Sequence, residues 1–392
     1  MNRRLAIVGL LLLTLSGLVR PAVAAGFSDR QVILLKLFGQ DPITAEMFTP
    51  TFLAQVSIEQ LLAVFAKTRA TIGPPLSIEP DGPSFIVHTA THQMRVDIGL
   101  DPDGRIAALL LHPAAQNFTT AEDVIRAFDG LRGRVAYLVT RNGAPLYARS
   151  PDDPMAVGSA FKLGVLAALA DGIDAGRLHW DQVVKLAAGE VSLPSGTLQT
   201  MPVGSPMTLH TLAAFMIAQS DNTATDVLMD VVGRDKVAAR LGVDFVLKTT
   251  EFFKLKADPA LRLRFTSADL AGKGKAGLDM ASLALPDAAD VGAPLNPGIE
   301  WYVPASKLCS LIETVKDLDV FSINPGVASR ADWTQIAFKG GSEAGVASLT
   351  TALTNTAGEH FCVSVIWNDS QALDEERFTS LYGSLIGKLA GK

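Results

Sequence analysis

Apolar and polar positions change their rhythm along the chain, and the change separates two regions. Between residues 25 and 117, apolar residues first recur with helical spacing in Gln31–Leu37 and Ile58–Ala70, with a break at Pro50 and Thr51. Alternating patterns typical of strands follow at Ser84–Thr89, Gln93–Gly99 and Ile106–Leu111. Helices followed by an antiparallel meander predict a small α+β domain.

From residue 118 onward, strand patterns lie near both ends of the region and helical patterns lie between them. The first two predicted strands are joined by Asn142-Gly143, a pair typical of a tight hairpin turn. Strands are predicted at Arg134–Thr140, Ala144–Arg149, Trp333–Phe338, Ala347–Thr354 and Phe361–Trp367, and flanking helices at Ala121–Phe128 and Glu375–Leu389. Pro113 and the polar pair Gln116-Asn117 favour a domain boundary after residue 117, which gives predicted domains 25–117 and 118–392.

The first 24 residues have the pattern of an export signal. Arg3 and Arg4 precede an apolar stretch from Leu5 to Val19, and Ala22-Val23-Ala24 has the small residues of a cleavage site. A membrane anchor is the alternative, but Arg20 interrupts the apolar stretch before the roughly 20 residues that a spanning helix needs. We therefore expect an exported protein, periplasmic or secreted, with no stable membrane span.

Composition excludes several classes of protein. Hydrophobic residues make up 48% of the chain and charged residues 19%, which suits folded domains with real cores. The net charge is −6 and no basic run occurs, so nucleic acid is not an expected partner. His88 and His92 share a face of a predicted strand but lack a third ligand, so no metal and no cofactor is predicted.

Ser159 and Lys162 have the spacing of a nucleophile and its base. If the apolar run from Ser159 to Leu169 is a helix, the two side chains lie on one face, one turn apart. The Lys162 amine can accept the hydroxyl proton if burial or a neighbouring cation lowers its pKa. Ser159 would also begin that helix, where a free backbone N–H can stabilise an oxyanion.

Two later strings add what an acylating serine needs. In Ser220-Asp221-Asn222, the Ser220 hydroxyl can relay a proton, and the Asn222 amide can donate and accept hydrogen bonds. In Lys339-Gly340-Gly341, the lysine brings a positive charge and the glycines let a strand approach a substrate backbone closely.

In this order, the three strings resemble the S-x-x-K, S-D-N and K-T-G motifs of the class A serine β-lactamases and penicillin-binding enzymes. The resemblance extends from about Thr119 to the C-terminus. It implies a two-domain β-lactamase/transpeptidase-like fold, with an antiparallel sheet built from both ends of the region and an inserted helical region. The preceding domain looks like the steroid-isomerase-like domain of an esterase-like protein of the clavulanic acid cluster.

The resemblance also implies a role for each motif residue. Ser159 would be the nucleophile, Lys162 its base, and Ser220 the hydroxyl that protonates the leaving nitrogen. Asn222 would bind the substrate's side-chain amide and Lys339 its carboxylate. The expected oxyanion donors are the N–H groups of Ser159 and Ser342, and the expected role of Asp221 is structural.

Two departures from the family pattern concern substrate binding and deacylation. Gly340 stands where the family has a hydroxyl that helps to hold the carboxylate, and Ser342 is a potential replacement. No E-x-x-L-N string follows the second motif, so the glutamate that activates the deacylating water is missing from its usual setting. Glu251 is the one acid in a comparable place, either as that base or as a surface or ion-paired carboxylate.

Cys309 falls in a helical pattern and Cys362 in an alternating strand pattern. Both positions suit buried thiols. A disulfide is the alternative, because sequence alone does not fix the distance between their Cα atoms.

Three functional classes follow from these observations. The first is an exported serine hydrolase, acylated at Ser159, that hydrolyses a β-lactam amide. The second is a penicillin-binding D,D-peptidase or an esterase with slow deacylation, and the third is a non-catalytic binder of β-lactams or cell-wall peptide. The expected partner is a small β-lactam or acyl ester, and the partner of the first domain is not identified.

Overall fold

A computed structural model describes residues 27–292 and 295–391 of the chain. The predicted export signal at residues 1–24 lies outside the described residues. The chain divides after Asn117 into two compact units, of which the second is Phe118–Lys392. None of the helices that the structure describes combines the length and the apolar character needed to cross a membrane.

The first unit consists of helices followed by an antiparallel sheet. Its helices are α1 (Phe27–Phe38), α2 (Pro50–Leu53) and α3 (Ile58–Ile72), and its strands are β1 (Pro75–Asp81), β2 (Ser84–Thr89), β3 (His92–Leu100), β4 (Ile106–Leu111) and β5 (Ala115–Gln116). The sheet has the order β1-β2-β3-β4, with β5 paired to β3. Pro50, expected at a break, is the first residue of α2, where its missing N–H costs no helical hydrogen bond. Strand β1 was not predicted, because Pro75 and Pro80 weaken its pattern.

The second unit has strands from both ends of its sequence and a helical region between them. Its helices are α4 (Ala121–Asp129), α5 (Lys162–Asp174), α6 (Leu209–Ala218), α7 (Asn222–Val232), α8 (Arg234–Leu241), α9 (Thr249–Ala257), α10 (Pro259–Thr266), α11 (Leu270–Met280), α12 (Ala305–Val315) and α13 (Glu375–Leu389). Its strands are β6 (Arg134–Arg141), β7 (Ala144–Arg149), β8 (Met155–Ala156), β9 (Val183–Lys185), β10 (Pro206–Thr208), β11 (Tyr302–Val303), β12 (Trp333–Glu343), β13 (Val346–Asn355) and β14 (His360–Asn368).

Five of these strands form one antiparallel sheet in the order β12-β13-β14-β6-β7. Both turn residues of the β6–β7 hairpin, Asn142 and Gly143, have the positive φ that the sequence pair predicts. Because side chains alternate along a strand, the sheet can bury both faces. In β14, Val363 and Val365 pack in the core with α4 and α13, whereas Cys362 and Ile366 pack in the core of the helical region.

Cys309 and Cys362 form a disulfide that joins α12 to β14, with their Cα atoms 5.9 Å apart. The interpretation of both as buried thiols is therefore wrong, and the alternative is correct. The error arose because the two cysteines are 53 residues apart in sequence, and the stacking of α12 on the sheet brings them together. The bond fixes one helix of the inserted region to the sheet.

Candidate active site

Ser159 lies in a single 3-10 turn, Gly158–Phe161, and α5 begins at Lys162. The expectation that Ser159 begins an α-helix is therefore wrong in detail. The consequence for the site is small, because residues i and i+3 lie nearly above one another in a 3-10 turn. Ser159 is partly exposed, whereas Lys162 is fully buried.

The third motif reaches the nucleophile turn through Gly341, on the edge strand β12. A Cβ atom at Gly341 would lie 2.6 Å from the backbone nitrogens of Ser159 and Ala160. A Cβ atom at Gly158 would lie 3.3 Å from the backbone nitrogen of Ser342. The two expected oxyanion donors, the N–H groups of Ser159 and Ser342, therefore belong to segments in close contact, and glycine makes that approach possible.

Ser220 connects the two motif lysines. It adopts a left-handed conformation with φ 56°, which is uncommon for a residue other than glycine. Its hydroxyl oxygen accepts hydrogen bonds from the Lys162 amine at 3.2 Å and the Lys339 amine at 3.0 Å. The Lys339 amine also donates to the Gly340 carbonyl at 2.5 Å. The Ser220 hydroxyl is thus placed between two nitrogen atoms that can exchange protons with it.

The environment of the two lysines favours their neutral forms. Burial lowers the pKa of Lys162 well below its ordinary value, and the positive charge of Lys339 adds to this effect, while Asp221 and Asp226 oppose it. Burial also lowers the pKa of Lys339, to about 7. A lysine held in this way can serve as a base near neutral pH.

Asn222 and Asp221 are both buried and bonded within the protein. The Asn222 amide accepts from Lys162 at 2.6 Å and donates to the Leu193 carbonyl at 2.9 Å. Asn222 is not among the residues that line the pocket of Ser159, and its predicted binding role stays a prediction. The Asp221 carboxylate caps α7 by accepting from the Ala224 N–H, and it also accepts from two loop N–H groups, in keeping with the structural role expected for it.

Four of the motif residues, Ser159, Ser220, Gly340 and Gly341, line one pocket of about 330 Å³, whereas Lys162, Asn222 and Lys339 are buried behind its wall. Its walls come from the nucleophile turn, the loop that contains Ser195, Ser220 itself, strands β12 and β13, and the start of α13. The lining residues are Ser159, Ser195, Ser220, Gly340, Gly341, Ser342, Ala347, Ser348, Leu349, Glu375, Phe378 and Thr379. The Ser195 hydroxyl donates a hydrogen bond to the Ser220 carbonyl at 2.7 Å. The same carbonyl accepts a hydrogen bond from the Lys162 amine at 2.5 Å.

Comparisons with known proteins found a matching sequence family and similar folds. A model of a β-lactamase enzyme family matches residues 114–273. A β-lactamase from Sphaerobacter thermophilus DSM 20745 is 18% identical, with a TM-score of 0.51 over 70% of this chain and 98% of that one. PBP-A also matches, with 16% identity and a TM-score of 0.49 over 69% of this chain and 95% of that one. A β-lactamase from Chitinophaga pinensis DSM 2588 matches with 19% identity and a TM-score of 0.48 over 70% of this chain and 100% of that one. No curated protein sequence matches the chain.

The chain resembles the serine β-lactamases and penicillin-binding enzymes. The predicted β-lactamase/transpeptidase-like fold is confirmed, while the likeness of the first unit to a steroid isomerase stays a prediction.

Glu251 lies in a different pocket of this β-lactamase-like structure from Ser159. Its carboxylate accepts two hydrogen bonds from Arg234, at 2.6 and 2.9 Å, and one from the Lys248 N–H at the start of α9. The pocket that it lines, of about 270 Å³, is lined by neither Ser159 nor Ser220. These contacts favour the ion-paired carboxylate, the alternative that the sequence left open.

Three residues near the site had no signal in the sequence. Glu375 lines the pocket, but an acid in the first turn of a helix is an ordinary stabilising feature. Asp226 is buried in α7 and accepts from the Thr249 and Thr250 N–H groups, and burial raises its pKa to about 6. The Trp301 ring stacks on Phe161 of the nucleophile turn at 4.2 Å, a contact across 140 residues of sequence that no local pattern indicates.

Proposed function

We propose that the protein is a serine hydrolase that is acylated at Ser159, with hydrolysis of a β-lactam amide as its reaction. The observation that carries the proposal is the Lys162–Ser220–Lys339 chain of hydrogen bonds, whose central residue Ser220 lines the same pocket as Ser159. Helix packing alone does not require two buried lysines to share a serine hydroxyl, because burying a cation costs free energy. Proton transfer during acylation would explain why the two lysines share this hydroxyl.

The proposed reaction uses the motif residues in sequence. Lys162, as a neutral amine, takes the proton of the Ser159 hydroxyl while its oxygen forms a bond to the lactam carbonyl carbon. The N–H groups of Ser159 and Ser342 stabilise the resulting oxyanion. As the C–N bond breaks, the Ser220 hydroxyl gives its proton to the leaving nitrogen and receives one from the Lys162 ammonium. Water then hydrolyses the ester at Ser159.

The second candidate is a penicillin-binding peptidase or an esterase in which the acyl-enzyme lasts long. The observation that favours it is the engagement of Glu251 with Arg234 and the start of α9, away from the Ser159 pocket. An acyl-enzyme without a carboxylate that activates water is cleared slowly. Acylation at Ser159 is common to both candidates, and turnover separates them.

The test mixes the mature protein with a chromogenic cephalosporin and a fluorescent penicillin, and follows hydrolysis and intact mass together. Ser159→Ala is the control. Turnover that depends on Ser159 supports the hydrolase, and a lasting adduct on Ser159 supports the penicillin-binding alternative. If no adduct and no turnover are found with these compounds or with activated esters, the proposal is wrong.

We also propose that residues 1–24 are an export signal that is removed when the chain is exported. The Cys309–Cys362 disulfide supports this, because disulfides persist mainly in oxidising compartments. Expression of the full chain in a bacterium that has an inner and an outer membrane should give a periplasmic protein that begins at Ala25. A cytoplasmic protein that keeps Met1, with both cysteines reduced, would contradict the proposal.

A further inference from the structure

The charge of the pocket wall is opposite to the charge that the third motif would suggest. Among the residues that line the described pocket, Glu375 is the single one with an ionisable side chain, and it is an acid. Lys339, the expected partner of a substrate carboxylate, is only 2% exposed and is not part of the wall. An incoming substrate therefore meets a carboxylate before it meets a cation.

The surroundings of Glu375 reinforce this negative charge. It follows Asp374 and precedes Glu376 at the start of α13, so three acids are consecutive there. Arg377 comes next, and its backbone N–H is bonded to the Asp374 side chain. The N-terminal end of a helix dipole attracts anions, but these carboxylates occupy that position themselves.

Ser342 does not counter the negative charge of the pocket wall. Burial raises the pKa of Glu375, and the nearby Ser342 side chain opposes this shift only in part. Gly340, which also lines the pocket, has no side chain that could bind a substrate. Neither residue adds a positive charge to the wall that contains Glu375.

We infer that Glu375 selects acyl compounds whose side chain carries a cationic group, because it is the charged residue on the wall beside Ser342. The inference rests on the proposed acylation at Ser159. The ring carboxylate of a β-lactam is assigned to Lys339 in that proposal, so the substituent left to meet the α13 end of the pocket is the acyl side chain. An ammonium there gains an attraction to Glu375, and a second carboxylate meets repulsion.

The test uses three penicillins that share one benzyl side chain and differ at a single carbon. That carbon bears an ammonium in ampicillin, only hydrogen in benzylpenicillin and a carboxylate in carbenicillin. The second-order rate constant of Ser159 acylation is measured by intact mass for each. We expect the order ammonium, neutral, carboxylate, with about a five- to tenfold difference between the first and last, as for one partly exposed charge pair.

Two variants separate selection from a structural effect. Glu375→Gln should bring the three rate constants together within about twofold, and Glu376→Gln, which removes the same charge from the next residue outside the pocket wall, should preserve the order. The preference of the wild type should also shrink as salt is raised, because added ions screen exposed charges. Loss of protein stability in either variant would leave all three compounds equally affected.

Each remaining outcome counts against one proposal in particular. Acylation by benzylpenicillin with no dependence on side-chain charge, or the same change in both variants, overturns the role of Glu375 and leaves the proposed function intact. If none of the penicillins forms an adduct, the comparison is repeated with 4-nitrophenyl esters whose acyl chains end in an ammonium, a methyl or a carboxylate group. Absence of any Ser159 adduct with both series overturns the proposed function, and the selection by Glu375 with it.

Discussion

Two clusters of charged residues lie in the second unit, and they hold their cations in different ways. In the first, Lys162 and Lys339 bind the neutral oxygens of Ser220, Asn222 and Gly340, and neither forms a salt bridge within the described residues. In the second, Arg234 pairs with Glu251, and Lys248 pairs with Asp230. We refer to these as the motif cluster and the Glu251 cluster.

The difference teaches which cluster is suited to chemistry. A cation beside a carboxylate keeps its proton, because the opposite charge stabilises the charged form. A lysine that is buried beside neutral oxygens and another lysine loses that support, and its pKa falls. Sequence motifs and environment therefore agree on the motif cluster, whereas the Glu251 cluster has the pairing expected of a structural element.

Replacing the base of the motif cluster should have the largest effect. Lys162→Met should lower the acylation rate by about a hundred- to ten thousandfold, the usual contribution of a positioned general base. Lys162→Arg should lower it as much, because a guanidinium keeps its proton at neutral pH. Intact mass against time, with a chromogenic or fluorescent β-lactam, measures the rate.

The matched control comes from the other cluster. Lys248→Met removes a lysine that is paired with Asp230, and it should leave acylation within about twofold. A Lys162→Arg variant that acylates like the wild type would show that positive charge, and not proton transfer, is what Lys162 supplies.

Breaking the Glu251 cluster should alter stability and leave acylation unchanged. Glu251 is buried and Arg234 partly so, and Glu251→Gln leaves the guanidinium without its counter-ion. We expect a loss of about 2–3 kcal/mol in the free energy of unfolding, below the value for a fully buried pair because Arg234 remains in contact with water. Denaturant unfolding measures this loss.

An Arg234→Met variant and the double variant complete a thermodynamic cycle that isolates the energy of the pair. Accumulation of an acyl-enzyme in Glu251→Gln, with acylation as fast as in the wild type, would instead assign the deacylating base to Glu251.

The motifs and most of the elements around them could be predicted from the sequence, because they depend on local pattern. The hairpin at Asn142-Gly143 and the final helix Glu375–Leu389 have the predicted positions, since turn residues and apolar periodicity act over a few residues. The order of three short motifs also indicated which serine and which lysines share a site.

What the sequence could not predict depends on tertiary contacts. Glu375 joins the pocket only because α13 begins beside the end of β12, and the Cys309–Cys362 bond only because α12 packs on the sheet. Glu251 looked like a candidate base by its place after the second motif, yet the partner that defines it, Arg234, is 17 residues earlier. Long-range packing decides the neighbours of a charged residue, and neighbours decide its role.

The smallest expected effect concerns pH and the second lysine of the motif cluster. Burial lowers the pKa of Lys339 to about 7, so raising the pH through 7 removes its positive charge in the free protein. An anionic β-lactam should therefore be acylated about fivefold more slowly at pH 9 than at pH 6.5, because a hydrogen bond from a charged donor is stronger than one from a neutral donor. Burial also lowers the pKa of Lys162, and its titration would change the acylation rate of charged and uncharged compounds alike. The check is the second-order acylation constant against pH for benzylpenicillin and for an uncharged ester. A decline with benzylpenicillin alone confirms that Lys339 acts through its charge on the carboxylate, and an equal decline with the ester would assign the titration to another group.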